Sequence, residues 1–233
     1  MTPQEFIQEL DARVANYDLL CHPFYQAWND GQLSHDDLRE YAQHYYHHVK
    51  AFPTYLAELG IRLDEGELRR AILANLMDEV GKDAELEQKS APHSELWLDF
   101  AEGMGARRDL LGHRPAPEIM ELTKLFHSLA SEGTPAEALA AFYAYESQVP
   151  RLSKVKASGL RERYGATQNT CAYFTLHETA DVHHANVWRR QLEKLIERNP
   201  EAAGKALAAA EKAAQALWRA LDGIEARRMA MAA

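Results

Sequence analysis

Helix-start signatures recur along this 233-residue chain, and no stretch of it alternates at strand length. Ser34 precedes His35-Asp36-Asp37, a capping residue followed by first-turn acids that favour the helix dipole. Thr134-Pro135-Ala136-Glu137 puts a cap, a proline at the first helical position and a glutamate placed to close a capping box in one tetrapeptide. Asn199-Pro200-Glu201 repeats that logic. Ala, Leu, Glu, Gln and Arg abound, and runs of β-branched residues are absent. Breaks are expected near Gly60, Gly81, Ser90 to Pro92, Gly103 to Gly105, Gly112 to Pro117, Glu132-Gly133 and Gly165 to Asn169. The chain therefore reads as all-α, with roughly eight helices joined by short loops.

The Ala-rich stretch from Asn199 to about Arg228 reads as one long helix, with Leu207, Ala214, Leu217, Trp218 and Leu221 on one face. We divide the chain into a main domain, residues 1–198, and this helix, 199–233, packed on the domain or on a partner subunit. A homodimer is thereby left open. Acidic residues (35) outnumber basic ones (26), the net charge is −9, and no basic block stands out. That excludes a phosphate-binding stripe, so neither nucleic acid nor an anionic membrane is an expected partner. Met1 to Leu10 carry charges and no long apolar run, so no signal peptide or membrane span is expected, and a cytoplasmic location is. Cys21 and Cys171 lack metal-motif spacing and read as reduced thiols.

The chemistry concentrates in FTLHETADVHHAN. His177, Asp181 and His184 have offsets of 0, 4 and 7, which places them within roughly 60° on one helix face. Two imidazoles and a carboxylate on one stripe suit iron, manganese or zinc. A solvated face would carry the same residues, so the spacing alone leaves both readings open. Ala180 and Val182 would pack inward beside a buried stripe. Glu146 sits in ALAAFYAYESQVPRL among Leu139, Phe142, Tyr143, Tyr145 and Val149, where an unpaired carboxylate is costly and a metal would offset the cost. Pro150 removes the hydrogen bond to the Glu146 carbonyl, so a kink is expected there. In NLMDEVGKD, Glu79 is placed inward and Asp78 on the surface, after an apolar face of Ile72, Leu73, Leu76 and Met77. Carboxylates from two helices with histidines nearby suggest a dimetal site inside a bundle. Tyr25, Tyr41, Tyr145 and Tyr173 lie close to these residues in sequence or helical phase; they read as core tyrosines or as a shell around a redox metal. His44 and His48, one turn apart with no matching acid, read as structural.

These segments resemble the haem-oxygenase-like dimetal oxidases typified by the Chlamydia protein associating with death domains, relatives of pyrroloquinoline-quinone synthase and thiaminase II. The resemblance runs through HPFYQAW, LSHDDLREYAQHYYHHVKAFPTYL, NLMDE, HSELW, YAYESQVPRLSKVKASGLRERYG and YFTLHETADVHHA. It implies a seven-helix bundle, here with an additional C-terminal helix. It implies two transition-metal ions, Fe/Fe or Mn/Fe, held by Glu79, His93, Glu146, His177, Asp181 and His184. It further implies formation of p-aminobenzoate, a folate precursor, with molecular oxygen and an external reductant. Tyr25 would give the aromatic ring and Lys156 the amino nitrogen, with Tyr41, Tyr145 and Tyr173 lining the site and Tyr41 in reserve as ring donor. Glu79 and His93 stand fourteen residues apart, about 21 Å on a straight helix, so the chain must break between them, at Gly81, Ser90 or Pro92. Glu85 is an alternative acid in that interval. Residues 80 to 93 bury little apolar surface and are expected to order only with metal. The competing readings are a cofactor-free oxidase, a thiaminase-like hydrolase with an activated cysteine, and a non-enzymatic helical interaction protein.

Overall fold

The structure, a computed structural model, describes residues 1–81, 91–110 and 112–232. Eleven α-helices make up the described residues: α1 (Pro3–Ala15), α2 (Pro23–Asn29), α3 (His35–Arg62), α4 (Glu67–Glu79), α5 (His93–Gly103), α6 (Pro117–Ser131), α7 (Pro135–Glu146), α8 (Val149–Arg163), α9 (Ala172–His177), α10 (Ala180–Arg198) and α11 (Ala203–Ala232). Short 3₁₀ turns occupy Leu19–Cys21 and Pro200–Ala202, and no strand occurs among the described residues. No described helix is long and apolar enough to cross a membrane.

Local signals set the helix starts. Ser34 and Thr134 each accept from the backbone N–H three residues on, while Asp37 and Glu137 accept in return from the cap's own N–H. Asn199 departs from expectation: its side chain makes no capping bond, and a 3₁₀ turn precedes α11. The break expected near Gly60 falls after Arg62, so Gly60 itself is still helical. It lies inside α3, and a Cβ there would meet Ile72 Cγ2 at 3.4 Å, so its small size serves the packing of α3 on α4.

The central helix is α7. It buries Ala136 and every residue from Ala138 to Glu146, the all-round apolarity expected of a helix enclosed by others. The C-terminal helix α11 packs chiefly along α7, and also on α6 and α1. Leu207, Ala214, Leu217 and Leu221 are buried there, while Trp218 sets its ring edge-on to His22, centroids 4.7 Å apart. The helix count exceeds the seven plus one expected, chiefly because the chain breaks at its candidate ligands. The kink expected at Pro150 is a full break: α7 ends at Glu146, and Pro150 sits in the first turn of a new helix.

Candidate metal centre

The single stripe expected for His177, Asp181 and His184 does not form. Helix α9 ends at His177, and α10 begins at Ala180 after a turn at Glu178-Thr179. The three side chains are all buried, but they divide between two clusters. Val182, expected inside, is 49% exposed, and Ala180 is half-buried. Leu73 likewise faces out, leaving Ile72 as the buried residue of its group.

Glu79, His93 and His177 make the first cluster. Helix α4 ends at Glu79 and α5 begins at His93, so the chain break between them closes the 21 Å that a straight helix would impose. His93 Nδ1 lies 3.0 Å from Glu79 Oε1. The pair misses hydrogen-bond geometry, however, so the buried Nδ1 has no hydrogen-bond partner among the described residues. Burial opposes charge on both groups, yet their mutual attraction wins, lowering Glu79 and raising His93. His177 donates from Nδ1 to the Tyr173 carbonyl at 2.6 Å, which leaves Nε2 as its free lone pair. Its ring stacks on Tyr173 with centroids 4.0 Å apart.

Glu146, Asp181 and His184 make the second cluster. His184 Nδ1 lies 3.3 Å from Asp181 Oδ1 and 3.6 Å from Glu146 Oε1, while its Nε2 lies 3.3 Å from Asp78 Oδ2. Glu146 accepts from Asn75 Nδ2 at 3.3 Å and from the indole N–H of Trp188. Burial pushes the Glu146 carboxyl up to about 8, with Asp181 adding to the shift. Burial pushes His184 down, but hydrogen bonds to Asp181 and Asp78 outweigh it and carry the imidazole up to about 11.

Three buried carboxylates thus face three buried imidazoles. Without metal such a set must hold protons to offset its charge; divalent cations would replace them. Within each cluster one candidate donor atom per residue lies within 4.8 Å of the others. Mixed nitrogen and carboxylate donors, an orphaned buried imidazole nitrogen, and an imidazole backed by an outer carboxylate all fit a pair of transition-metal ions. Glu79, His177, Glu146 and Asp181 also line one cavity, with Val49, Phe52, Tyr145 and Tyr173, so the clusters share a space. Glu85 lies outside the described residues, as does most of the interval 80 to 93.

A second cavity adjoins the first. It is lined by Tyr25, Tyr45, Trp97, Leu152, Lys156 and Phe174 among others, and Tyr145 and Tyr173 line both cavities. Lys156 Nζ donates to the hydroxyls of Tyr25 (2.9 Å) and Tyr41 (2.8 Å), which lie 3.0 Å from each other. It also sits 4.2 Å from the Tyr25 ring centroid. Burial holds its amine well below the usual lysine range and pushes both phenols well above theirs. Gly159 allows this meeting of α2 and α8: a Cβ there would stand 3.1 Å from the Trp28 ring. Lys154, two residues from Lys156, is exposed.

Sequence reasoning missed Asn75 and Trp188 beside Glu146, and it left Asp78 as a plain surface acid. Trp188 follows His184 by four residues, a spacing that was there to be used. Of the histidine pair, His44 accepts from Ala116 N–H at 3.1 Å, and His48 is enclosed by Phe52, Tyr55, Phe126 and Tyr145. Neither belongs to a candidate ligand cluster among the described residues. Of the cysteines, Cys171 is buried and its thiol is pushed up by burial, which opposes activation, and Cys21 lies exposed on the surface.

Residues 39–218 match a family model described as iron-containing redox enzymes. The chain is 36% identical over 219 residues to a 4-aminobenzoate synthase of Chlamydia pneumoniae, covering 93% of each. It is 35% identical to one of Nitrosomonas europaea, covering 96% of this chain and 92% of that one. Among solved structures, a heme-oxygenase-like domain of unknown function from Shewanella denitrificans superposes with a TM-score of 0.78 at 18% identity, covering 100% of this chain and 96% of that one. The chain belongs to the family of iron-containing redox enzymes and has the heme-oxygenase-like fold.

Proposed function

We propose that this family member forms 4-aminobenzoate, that it does so as a dimetal oxygenase, and that it takes the atoms from its own side chains. The observation that carries the reading is Lys156 Nζ, buried and held by the hydroxyls of Tyr25 and Tyr41, one tyrosine layer away from the two ligand clusters. The names of the relatives support the product.

Glu79, His93 and His177 would hold one ion, and Glu146, Asp181 and His184 the other, as Fe/Fe or Mn/Fe. When bound, such a pair supplies the means to activate molecular oxygen with electrons from an external reductant. The rest falls to the chain. Tyr25 offers a phenol ring fixed by aromatic neighbours on α2 and α3: Phe24, Trp28 and Tyr41 lie with ring centroids 5.8, 6.4 and 6.1 Å away. Lys156 offers an amine whose neutral form, the one with a lone pair to give, is favoured by burial. Tyr41 bridges the two and holds a proton at its hydroxyl. Tyr145 and Tyr173 stand between the ligands and the amine. They separate it from the ligand cavity while keeping a phenolic path across the wall.

The test is intact-mass analysis before and after exposure to metal, reductant and oxygen. Loss of mass at Tyr25 and at Lys156, with no more than one product per chain, supports the reading. An unchanged chain that keeps making product overturns the self-sacrificing part.

A further inference from the structure

Tyr25 lines two spaces. Its hydroxyl faces the buried chamber with Lys156, and the residue also forms part of a surface depression of about 390 Å³ with Leu20, Gln26, Asn29, Asp30 and Val155. The residue itself is 3% exposed, so at present it fills the volume between chamber and surface. Its helix α2 is short, and Gln26 and Asn29, which rim the depression, are exposed. Removing a large buried side chain from a close-packed interior leaves a cavity of about its own shape, because the surroundings relax only in part. A tyrosine-shaped cavity is apolar along its walls and polar at one end. Here the polar end is set by Lys156 and Tyr41, whose groups would lose their partner.

We propose that loss of the Tyr25 side chain opens the chamber to this depression, and that the vacated space is a binding site for para-substituted phenols and anilines. The depression is then the passage through which such a molecule leaves. The proposal rests on Tyr25 as the ring donor, since that is what empties the site in the working protein. The molecule that leaves is of the class that the emptied space fits. Its hydroxyl or amino group sits where the Tyr25 hydroxyl was, and its para substituent takes the place of the Tyr25 Cβ, at the α2 end of the space.

The experiment uses the full chain with Tyr25→Gly, which removes the whole side chain including Cβ without metal, reductant or turnover, and p-cresol as the probe. The variant should gain thermal stability in p-cresol and the parent chain should not. Adding Lys156→Met should weaken p-cresol binding by about tenfold while leaving toluene binding in place, because the hydroxyl loses its partner. Adding Asn29→Trp, at the exposed rim, should slow p-cresol exchange, read by ligand NMR, by about tenfold or more. Absence of p-cresol binding by Tyr25→Gly overturns the site. Should that variant be too unstable to fold alone, failure of p-cresol to restore folding counts equally against it. Exchange unchanged by Asn29→Trp overturns the passage. None of these outcomes depends on product formation. If p-cresol binds while Tyr25→Phe still makes product, the site stands and the ring-donor reading falls.

Discussion

His184 turns its Nε2 towards Oδ2 of Asp78, 3.3 Å away, and its Nδ1 towards Asp181 and Glu146. Asp78 is about one-third exposed, whereas His184 is buried. The carboxylate therefore orients the ring from outside the cluster and fixes which nitrogen keeps the proton. Asp78→Ala should lower metal affinity by about 10- to 100-fold, as loss of such an outer carboxylate generally does. Competition against a chelator measures it; an unchanged affinity would show Asp78 to be a bystander.

The two clusters are separate candidate ligand sets, and that separates the expected effects of their variants. Protein loaded with iron, with or without manganese, should hold about two ions per chain. His177→Ala touches the set of Glu79 and His93, and Asp181→Ala the set of Glu146 and His184. Each should lower the content by about one ion, and the double variant should hold almost none. Elemental analysis of the washed protein decides this. Full occupancy in both single variants would remove His177 and Asp181 from the centre.

Which features were legible beforehand depends on how far apart in the chain their causes lie. The capping boxes at Ser34 and Thr134 need only four residues and were readable as such. Burial of Glu146 was readable from the apolarity of its own helix. The break between His177 and Ala180 was not, because no glycine or proline marks Glu178-Thr179; the turn sends His177 to one cluster and Asp181 to the other. Asp78 and Glu79 are adjacent and so point about 100° apart, which suggests one inside and one outside. At the end of α4 both meet imidazoles, from His184 and His93. Lys156 is singled out by the resemblance and not by helical phase, because Pro150 opens a new helix instead of kinking the old one, which resets the count from Glu146.

His48 carries two buried ring nitrogens without a hydrogen-bond partner among the described residues, and burial pushes its imidazole down to about 3. An unfolded histidine titrates near 6.5. Between these values the unfolded chain binds a proton that the folded one refuses, so stability falls as pH drops from about 6.5 towards 3. His48→Phe removes that dependence and the unpaired nitrogens together. The variant should match or exceed the parent in stability at pH 8. Below pH 6.5 its advantage should grow by up to about 1.4 kcal/mol per pH unit. Denaturant titrations at pH 8, 6 and 5 check the slope. A constant difference would mean that His48 is solvated or paired in solution.

The last prediction concerns which side chains are spent. Lys156 is buried against Tyr25 and Tyr41, and Lys154 is exposed on the same helix. If nitrogen comes from the amine that touches the ring donor, Lys156→Arg should abolish 4-aminobenzoate formation and Lys154→Arg should retain it. Arginine keeps a long basic side chain, but it stays protonated and has no free lone pair to give. Tyr25→Phe keeps the ring and removes the hydroxyl that Lys156 and Tyr41 contact, so it too should make no product. Neither Tyr25 nor Lys156 belongs to a ligand cluster, so metal content should survive both changes. Product from Tyr25→Phe together with none from Tyr41→Phe would transfer the ring-donor role to Tyr41. Isotope labelling then separates self-consumption from ordinary catalysis. Protein grown on ring-labelled tyrosine and assayed in unlabelled medium should yield one labelled product per chain and then stop. Unlabelled protein supplied with labelled free tyrosine should yield none. Label passing from free tyrosine into product over many turnovers would require an ordinary substrate site, and the chemistry assigned to Tyr25 and Lys156 would have to be withdrawn.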